Sequence, residues 1–323
     1  MAALLVLLLV SQAGGDYGWD GFARMNFGYG ARELAMGGAA TGSCNSAAAS
    51  YWNPGSLGRV TSGTVSAYSP FRPVGRFHEP TDSDVFMAWA QPFSGTWALG
   101  LAADRFNLGG IELRSSETKA PDDTGGYSET YAWLCGALRL TSGVHAGAGL
   151  CMGEQRLGSS FSDIGFAWLL GVDMEAVERF RAGLTLRLAP VSTGENDVMS
   201  SKVAFGLAYE PVSGLVLAAD ANRRWQRPLV FGLGAEYRKG FGGSSTDGET
   251  RPLSTALRVG LKDLTPSYSS DSSWVGPASV ATPTAGVGIE YAREGFRIGI
   301  DYVWIIGHAA FGDIHAIGAT ISY

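Results

Sequence analysis

From Thr61 to Tyr323 the chain alternates apolar and polar residues with a period of two, segment after segment, which restricts it to strands that show two unlike faces. In TAGVGIEYA, Ala285, Val287, Ile289 and Tyr291 share one face, and Gly286, Gly288 and Glu290 the other. In FRIGIDYVW, Phe296, Ile298, Ile300, Tyr302 and Trp304 oppose Arg297, Gly299 and Asp301. HAIGATISY sets Ile317, Ala319, Ile321 and Tyr323 against Gly318, Thr320 and Ser322. Upstream segments beginning at Trp97, Val203, Leu229 and Leu253 repeat the pattern, and their polar side carries glycine with scattered charges: Arg181, Arg187, Lys202, Asp220, Glu236, Arg238 and Arg258. A soluble two-sheet sandwich gives the same alternation with aromatics inward and charges outward. The connections separate the two.

Roughly 14 such segments are present, an even number of the kind a closed transmembrane barrel requires. Short turns follow Ala90, Leu140, Met174, Tyr209 and Ala292. Longer polar or Pro-rich connections fall between them, at residues 70–82, 109–127, 154–161, 190–200, 222–228, 262–282 and 306–313. One connection, KGFGGSSTDGETR, is long where a short turn is due. Short turns on one rim and long loops on the other predict an all-β, closed antiparallel barrel in a bacterial outer membrane, with turns periplasmic and loops outside. Trp97, Phe180, Tyr209, Tyr237, Tyr291, Phe296 and Tyr323 fall at the short-turn ends, where an aromatic girdle would meet lipid headgroups. Composition agrees: 46 glycines and only 17% charged residues suit strands and turns, and a mean hydropathy of +0.06 fits membrane segments that are apolar on one side only.

Outside the barrel region, residues 1–13 read as a signal peptide: a short apolar run followed by Ser11, Gln12 and Ala13. The run is too short to cross a bilayer as a helix. The alternative is a hydrophobic N-terminal strand. Cys44, Cys135 and Cys151 lack metal-ligand spacing, and Cys135 and Cys151 are either a cross-strand pair or buried free thiols. A net charge of -6 gives no footprint for nucleic acid. Gly28, Gly30, Gly37 and Gly38 miss the dinucleotide-binding spacing, and no cofactor is expected.

The stretch GARELAMGGAATGSCNSAAASYWNPGSLG, beginning at Gly30, resembles the N-terminal signature of the FadL-type outer-membrane transporters of hydrophobic compounds and of the PorV/PorQ proteins associated with type IX secretion. The matching positions are Gly30, Ala31, Arg32, Met36, Gly37, Gly38, Ala39, Asn53 and Pro54. The resemblance implies that residues 14–59 form a hatch inside a barrel of residues 60–323. A periplasmic strap across the barrel mouth is the alternative. Where that family carries a pair of acidic residues, this chain has Ser43, Cys44, Asn45 and Ser46. Inward glycines at 100, 147, 149, 206, 232, 234, 286 and 288 would leave lumenal volume for such a segment to fill. The terminal Tyr323 resembles the C-terminal signal read by the outer-membrane barrel insertion machinery.

Enzymatic function is not expected. His78, His145, His308 and His315 are the candidate bases, and none sits in a nucleophile–base–orienter arrangement; His145 should face the lumen and His315 the lipid or rim. The lumenal charges, including Glu290, Arg297 and Asp301, are mixed in sign and read as salt bridges between wall and hatch. The PorV/PorQ side of the resemblance implies a scaffold or conduit for exported proteins, working through outer loops such as residues 262–282 with Trp274. That is the preferred expectation. The FadL side implies transport of a hydrophobic small molecule, for which Phe22, Met25, Phe27, Tyr29, Leu34 and Met36 are candidate pocket linings.

Overall fold

In the computed structural model the described residues are 23–71, 83–113, 123–158, 161–189, 199–224, 227–241, 252–264, 281–308 and 312–323. The expected signal peptide, Phe22, His78 and Trp274 lie outside them. The strands are β1 (Thr64–Phe71), β2 (Ser83–Phe93), β3 (Trp97–Leu113), β4 (Asp123–Thr141), β5 (Val144–Leu157), β6 (Phe161–Val177) and β7 (Phe180–Leu188). They continue as β8 (Lys202–Val212), β9 (Leu215–Arg224), β10 (Leu229–Phe241), β11 (Leu253–Leu264), β12 (Thr282–Arg293), β13 (Phe296–His308) and β14 (Gly312–Ser322). Each pairs antiparallel with its sequence neighbours, and β1 pairs with β14, so 14 strands close into one barrel without an edge.

The closing seam runs from Thr64 opposite Ser322 to Phe71 opposite His315. Side chains bridge it twice, through the hydroxyls of Thr64 and Ser322 at 3.1 Å and of Ser66 and Thr320 at 3.3 Å. Closure leaves the sheet no open edge, which lipid demands because it offers no hydrogen-bonding partner.

Burial settles which face is which. Leu134, Trp168, Leu257, Val259, Ile289 and Ile300 are all more than half exposed, while Asp104, Glu129, Asp173, Asp220, Glu236 and Arg258 are buried. A soluble sandwich would show the reverse. The apolar face is therefore the outer one, and it is solvated by lipid tails. The aromatic girdle stands at the short-turn rim as expected, with Phe180 opposite Tyr209 in register and Trp89 Nε1 donating to the Tyr323 hydroxyl at 3.1 Å.

Strand length brings two corrections. Residues 109–127 and 154–161 are not simply loops, because Ile111 pairs with Gly125 and Glu154 with Ile164. β3, β4 and β6, with 17, 19 and 17 residues, are much longer than the roughly 9–11 residues a tilted strand needs to cross. The barrel thus carries a raised wall on one side. The first strand begins at Thr64.

Leu257 points into lipid well inside the apolar band. Leu257→Arg should cost about 2–4 kcal/mol if it lies near the midplane. Urea unfolding in lipid vesicles checks this.

Candidate functional site in the barrel lumen

Residues 23–60 pack against the inward face of the barrel nearly all the way round. The helix Ala31–Ala35 touches β11 to β14, and the 3-10 turn Pro54–Arg59 touches β2 to β7. Glycines on the wall make this approach possible. A Cβ at Gly171 would collide with the Asn53 side-chain oxygen, and one at Gly183 with the Thr41 carbonyl. The wall glycines predicted at 100, 147, 206, 232, 234 and 286 face this segment as well. Those at 149 and 288 face other wall side chains, Cys135 and the Asp301–Arg258 pair.

Each motif residue has a physical task. Gly37 has φ +65°, and any side chain there would meet the backbone carbonyls of Leu233 and Leu261. Arg32 makes a bidentate pair with Glu236, Nε to Oε2 at 2.9 Å and Nη2 to Oε1 at 3.1 Å. Asn53 donates to the carbonyls of Thr41 at 2.9 Å and Val172 at 3.0 Å, while its own oxygen accepts from the Gly55 amide at 3.0 Å. Pro54 then opens the 3-10 turn, where a missing N–H costs nothing. Ala31 rests on Gly318, and Met36 is fully buried against Gly234.

Ion pairs fix the segment at two further places, through Arg24 and Arg59, and a wall network holds Glu236 itself. Glu236 also accepts from Arg258 Nε at 2.6 Å, and Arg258 reaches Asp301 at 2.6 Å. Arg24 pairs with Asp84 at 2.7 Å, and its backbone amide donates to the Glu129 carboxylate, which also accepts from the Tyr127 and Tyr131 hydroxyls. Arg59 meets Asp173 at 3.2 Å. Asp220 accepts from the amides of Ala40 at 3.1 Å and Thr41 at 2.8 Å. In the small-residue run, where the resembling family carries an acidic pair, Cys44 and Ser46 donate toward Glu33, at 3.6 and 3.2 Å. Burial raises the Glu33 carboxyl above its usual value and, with the nearby Glu33, pushes the Cys44 thiol up to about 12.

At the centre lies an aromatic cluster. Tyr29 stacks on Phe86 with centroids 4.5 Å apart, and meets Tyr51 at 4.7 Å and Trp133 at 5.5 Å edge-on. Tyr51 donates to the Met25 carbonyl and Trp52 to the Tyr29 carbonyl, so neither polar end is stranded. Beside it is a small cavity of about 20 Å³, lined by Tyr51, Trp52, Trp133, Leu169, Thr185, Arg187 and Lys202. Outside, facing lipid, an apolar groove of about 490 Å³ runs over β1 to β5 between Val65, Met87, Trp89, Leu101, Leu134 and Met152. Its floor is alanine, at Ala88, Ala102, Ala103 and Ala132, with Trp133 behind.

Several sequence expectations change here. Met25, Tyr29, Leu34 and Met36 are buried and border neither the small cavity nor the outer groove, and Phe27 is partly buried beneath Lys262. The cavity belongs instead to Tyr51, Trp52 and Trp133. The Tyr-Trp pair just before Asn-Pro and an inward-phased tryptophan on β4 were the available signals. Of the charges expected in the lumen, Arg187, Lys202, Asp220, Glu236, Arg258 and Asp301 face it. Arg238 and Glu290 pair at 3.5 Å, and Arg181 stands opposite Glu175 near the short-turn rim. Arg297 is exposed at that rim, on the same strand face as Asp301. His145 faces inward opposite Asp173, and His315 stacks outside on Trp304 and Phe71. All three cysteines are free and buried.

No protein-family model and no curated protein matches this chain. Solved structures do. The Pseudomonas putida toluene transporter TodX is 14% identical with a TM-score of 0.60 over 91% of this chain and 97% of that one. The Ralstonia pickettii toluene transporter TbuX is 15% identical, with a TM-score of 0.57 over 92% and 98%. A Pseudomonas aeruginosa FadL homologue is 10% identical, with a TM-score of 0.53 over 90% and 95%. The fold is that of a FadL-type outer-membrane barrel. Such coverage exceeds what residues 60–323 can supply alone, so the likeness extends into the N-terminal segment. A closed barrel of this type, with its apolar side outward, resides in the bacterial outer membrane.

Glu236→Gln removes the carboxylate that Arg32 and Arg258 share and should cost about 3–5 kcal/mol of anchoring for a broken buried pair. Hydrogen exchange at residues 31–40 should accelerate while the strands stay protected. Gly171→Ala should displace Asn53 and expose the buried Cys44 and Cys135 to a small maleimide, measured by mass spectrometry on the folded barrel.

Proposed function

We propose that the chain is a FadL-type transporter that passes hydrophobic small molecules across the outer membrane, with its N-terminal segment, residues 14–59, as the hatch. The observation that carries this is the shared architecture: a barrel whose likeness to hydrocarbon channels runs through the inner segment as well as the wall. The lumen supports it. Its centre is aromatic and apolar, which favours a hydrophobic solute over an ion or sugar. The outer groove lies just across the wall from Trp133, so a solute delivered there is in contact with lipid.

Transport requires the hatch to move. Strand pairing is continuous around the described barrel, and the segment fills the section it occupies. Ion pairs at Asp84, Asp173 and Glu236 hold it at three separated points of the wall, so displacement requires each pair to be replaced by water or another partner. The scaffold for exported proteins expected from the PorV/PorQ side of the resemblance finds no support in these comparisons. Neighbouring channels are not enzymes, in keeping with a non-catalytic role.

Proteoliposomes provide the test. Toluene should enter vesicles containing the protein faster than empty ones, while sucrose should not. Equal toluene rates, together with stoichiometric copurification of an exported protein, would overturn the transporter in favour of the scaffold.

A further inference from the structure

Strand register gives the outer groove a definite shape. Across β2 to β5, Met87, Ala103, Ala132 and Met152 stand directly opposite one another on the outward face: large, small, small, large. The row below, toward the short-turn rim, is Trp89, Leu101, Leu134 and Leu150, large throughout. The groove is therefore a notch two alanines wide, walled by two methionines and closed below. Its volume of about 490 Å³ falls within the roughly 300–1,000 Å³ of sites that hold small molecules.

Above the notch the surface turns polar. Arg105 follows Ala103 on the same face of β3, is exposed, and makes no hydrogen bond or ion pair among the described residues. Counted from Trp97 at the short-turn rim, the roughly 9–11 residues that a tilted strand needs to cross end between Arg105 and Asn107. Arg105 thus stands where acyl chains give way to headgroups on the outer side. A cation there, on a long flexible stem, is placed to meet a lipid phosphate. Glu154, the acid at its level, is separated from it in register by Thr130 and accepts from Arg156 Nε at 2.8 Å.

One step higher, Asn107, Ser128, Arg156 and Ser162 form a directly opposed row across β3 to β6. Asn107 also donates to the Ser83 hydroxyl on β2 at 2.8 Å, which extends the row by a strand. These strands build the raised wall, so the row lies past the apolar band, at the level of the outer headgroups. Amide, hydroxyl and guanidinium groups in line suit a hydroxyl-rich sugar, which needs donors and acceptors side by side.

We infer that this surface binds a phosphorylated, acylated glycolipid of the outer leaflet. An acyl chain lies in the alanine notch, a phosphate meets Arg105, and the sugar follows the row from Asn107 to Ser162. Each part stands at the depth its counterpart occupies in a membrane. The site is on the outer wall and requires no movement of the inner segment, so it does not depend on the transporter reading.

The test uses the full chain, extracted in detergent and delipidated, with native mass spectrometry counting the lipid retained. The probes are lipid A, lipid A with its phosphates removed, and phosphatidylglycerol. Lipid A should be retained at one per chain, about tenfold more tightly than either comparator. Arg105→Gln should weaken lipid A about tenfold while leaving the dephosphorylated form unchanged, and Arg105→Lys should restore most of the loss. Ala103→Leu combined with Ala132→Leu fills the notch and should weaken both glycolipids alike. Val287→Leu, outward on β12, should change neither. Heat-dependent gel migration verifies that each variant is a folded barrel. Phosphatidylglycerol held as tightly as lipid A overturns the inference, as does lipid A binding that ignores Arg105→Gln or the leucine pair. A chain dimer that the leucine pair dissolves would give the notch to a second copy and overturn it too.

Discussion

Lipid offers the backbone no hydrogen-bonding partner, and every other feature of this molecule follows from that. Strands can cross only if the sheet closes, so β1 must find β14. Closure at 14 strands encloses a cylinder too wide for wall side chains to fill alone. Many of the inward positions are glycine, which enlarges the interior further. The chain fills the space with its own residues 23–60, laid so close that several wall glycines have no room for a Cβ.

A buried segment of this kind cannot be held by apolar packing alone, because the surrounding wall is its polar side. It is held by a few strong, directional contacts. Arg32 on Glu236 is bidentate, Asn53 bridges two carbonyls, and Arg24 and Arg59 each meet an acid on the wall. Between these anchors lies the aromatic cluster around Tyr29. The Arg24 anchor lies over the Tyr29 ring, its guanidinium 4.4 Å from the centroid, so opening must release the ion pair and the aromatic contact together.

The barrel was legible in the sequence because period-two alternation is local: Val287 and Ile289 declare their face against Gly286 and Glu290 without reference to anything distant. Rim assignment was legible too, since turn length is a property of a few consecutive residues. The ends of β3 to β6 were misread because Gly109, Gly110 and Gly126 resemble loop residues, while pairing with a long neighbour keeps the chain in strand beyond them. Inside the lumen, local pattern fails. Whether Tyr29 lines a cavity or packs on Phe86 depends on residues 57 positions apart in sequence. The anchors were invisible for the same reason: Arg32 and Glu236 lie far apart along the chain, and only the folded barrel brings them together.

The seam between β1 and β14 joins strands from opposite ends of the barrel sequence, and the inner segment leads straight into β1 through Gly63, whose carbonyl accepts from the Tyr323 amide at 2.9 Å. Long-range pairings of this kind zip last during folding. Residues 23–60 must then be seated while the cylinder is still a curled, open ribbon, because afterwards no gap in the described wall would admit them. Biogenesis of this protein therefore has an order built into its topology: the filling goes in first, and the two ends of the ribbon lock behind it.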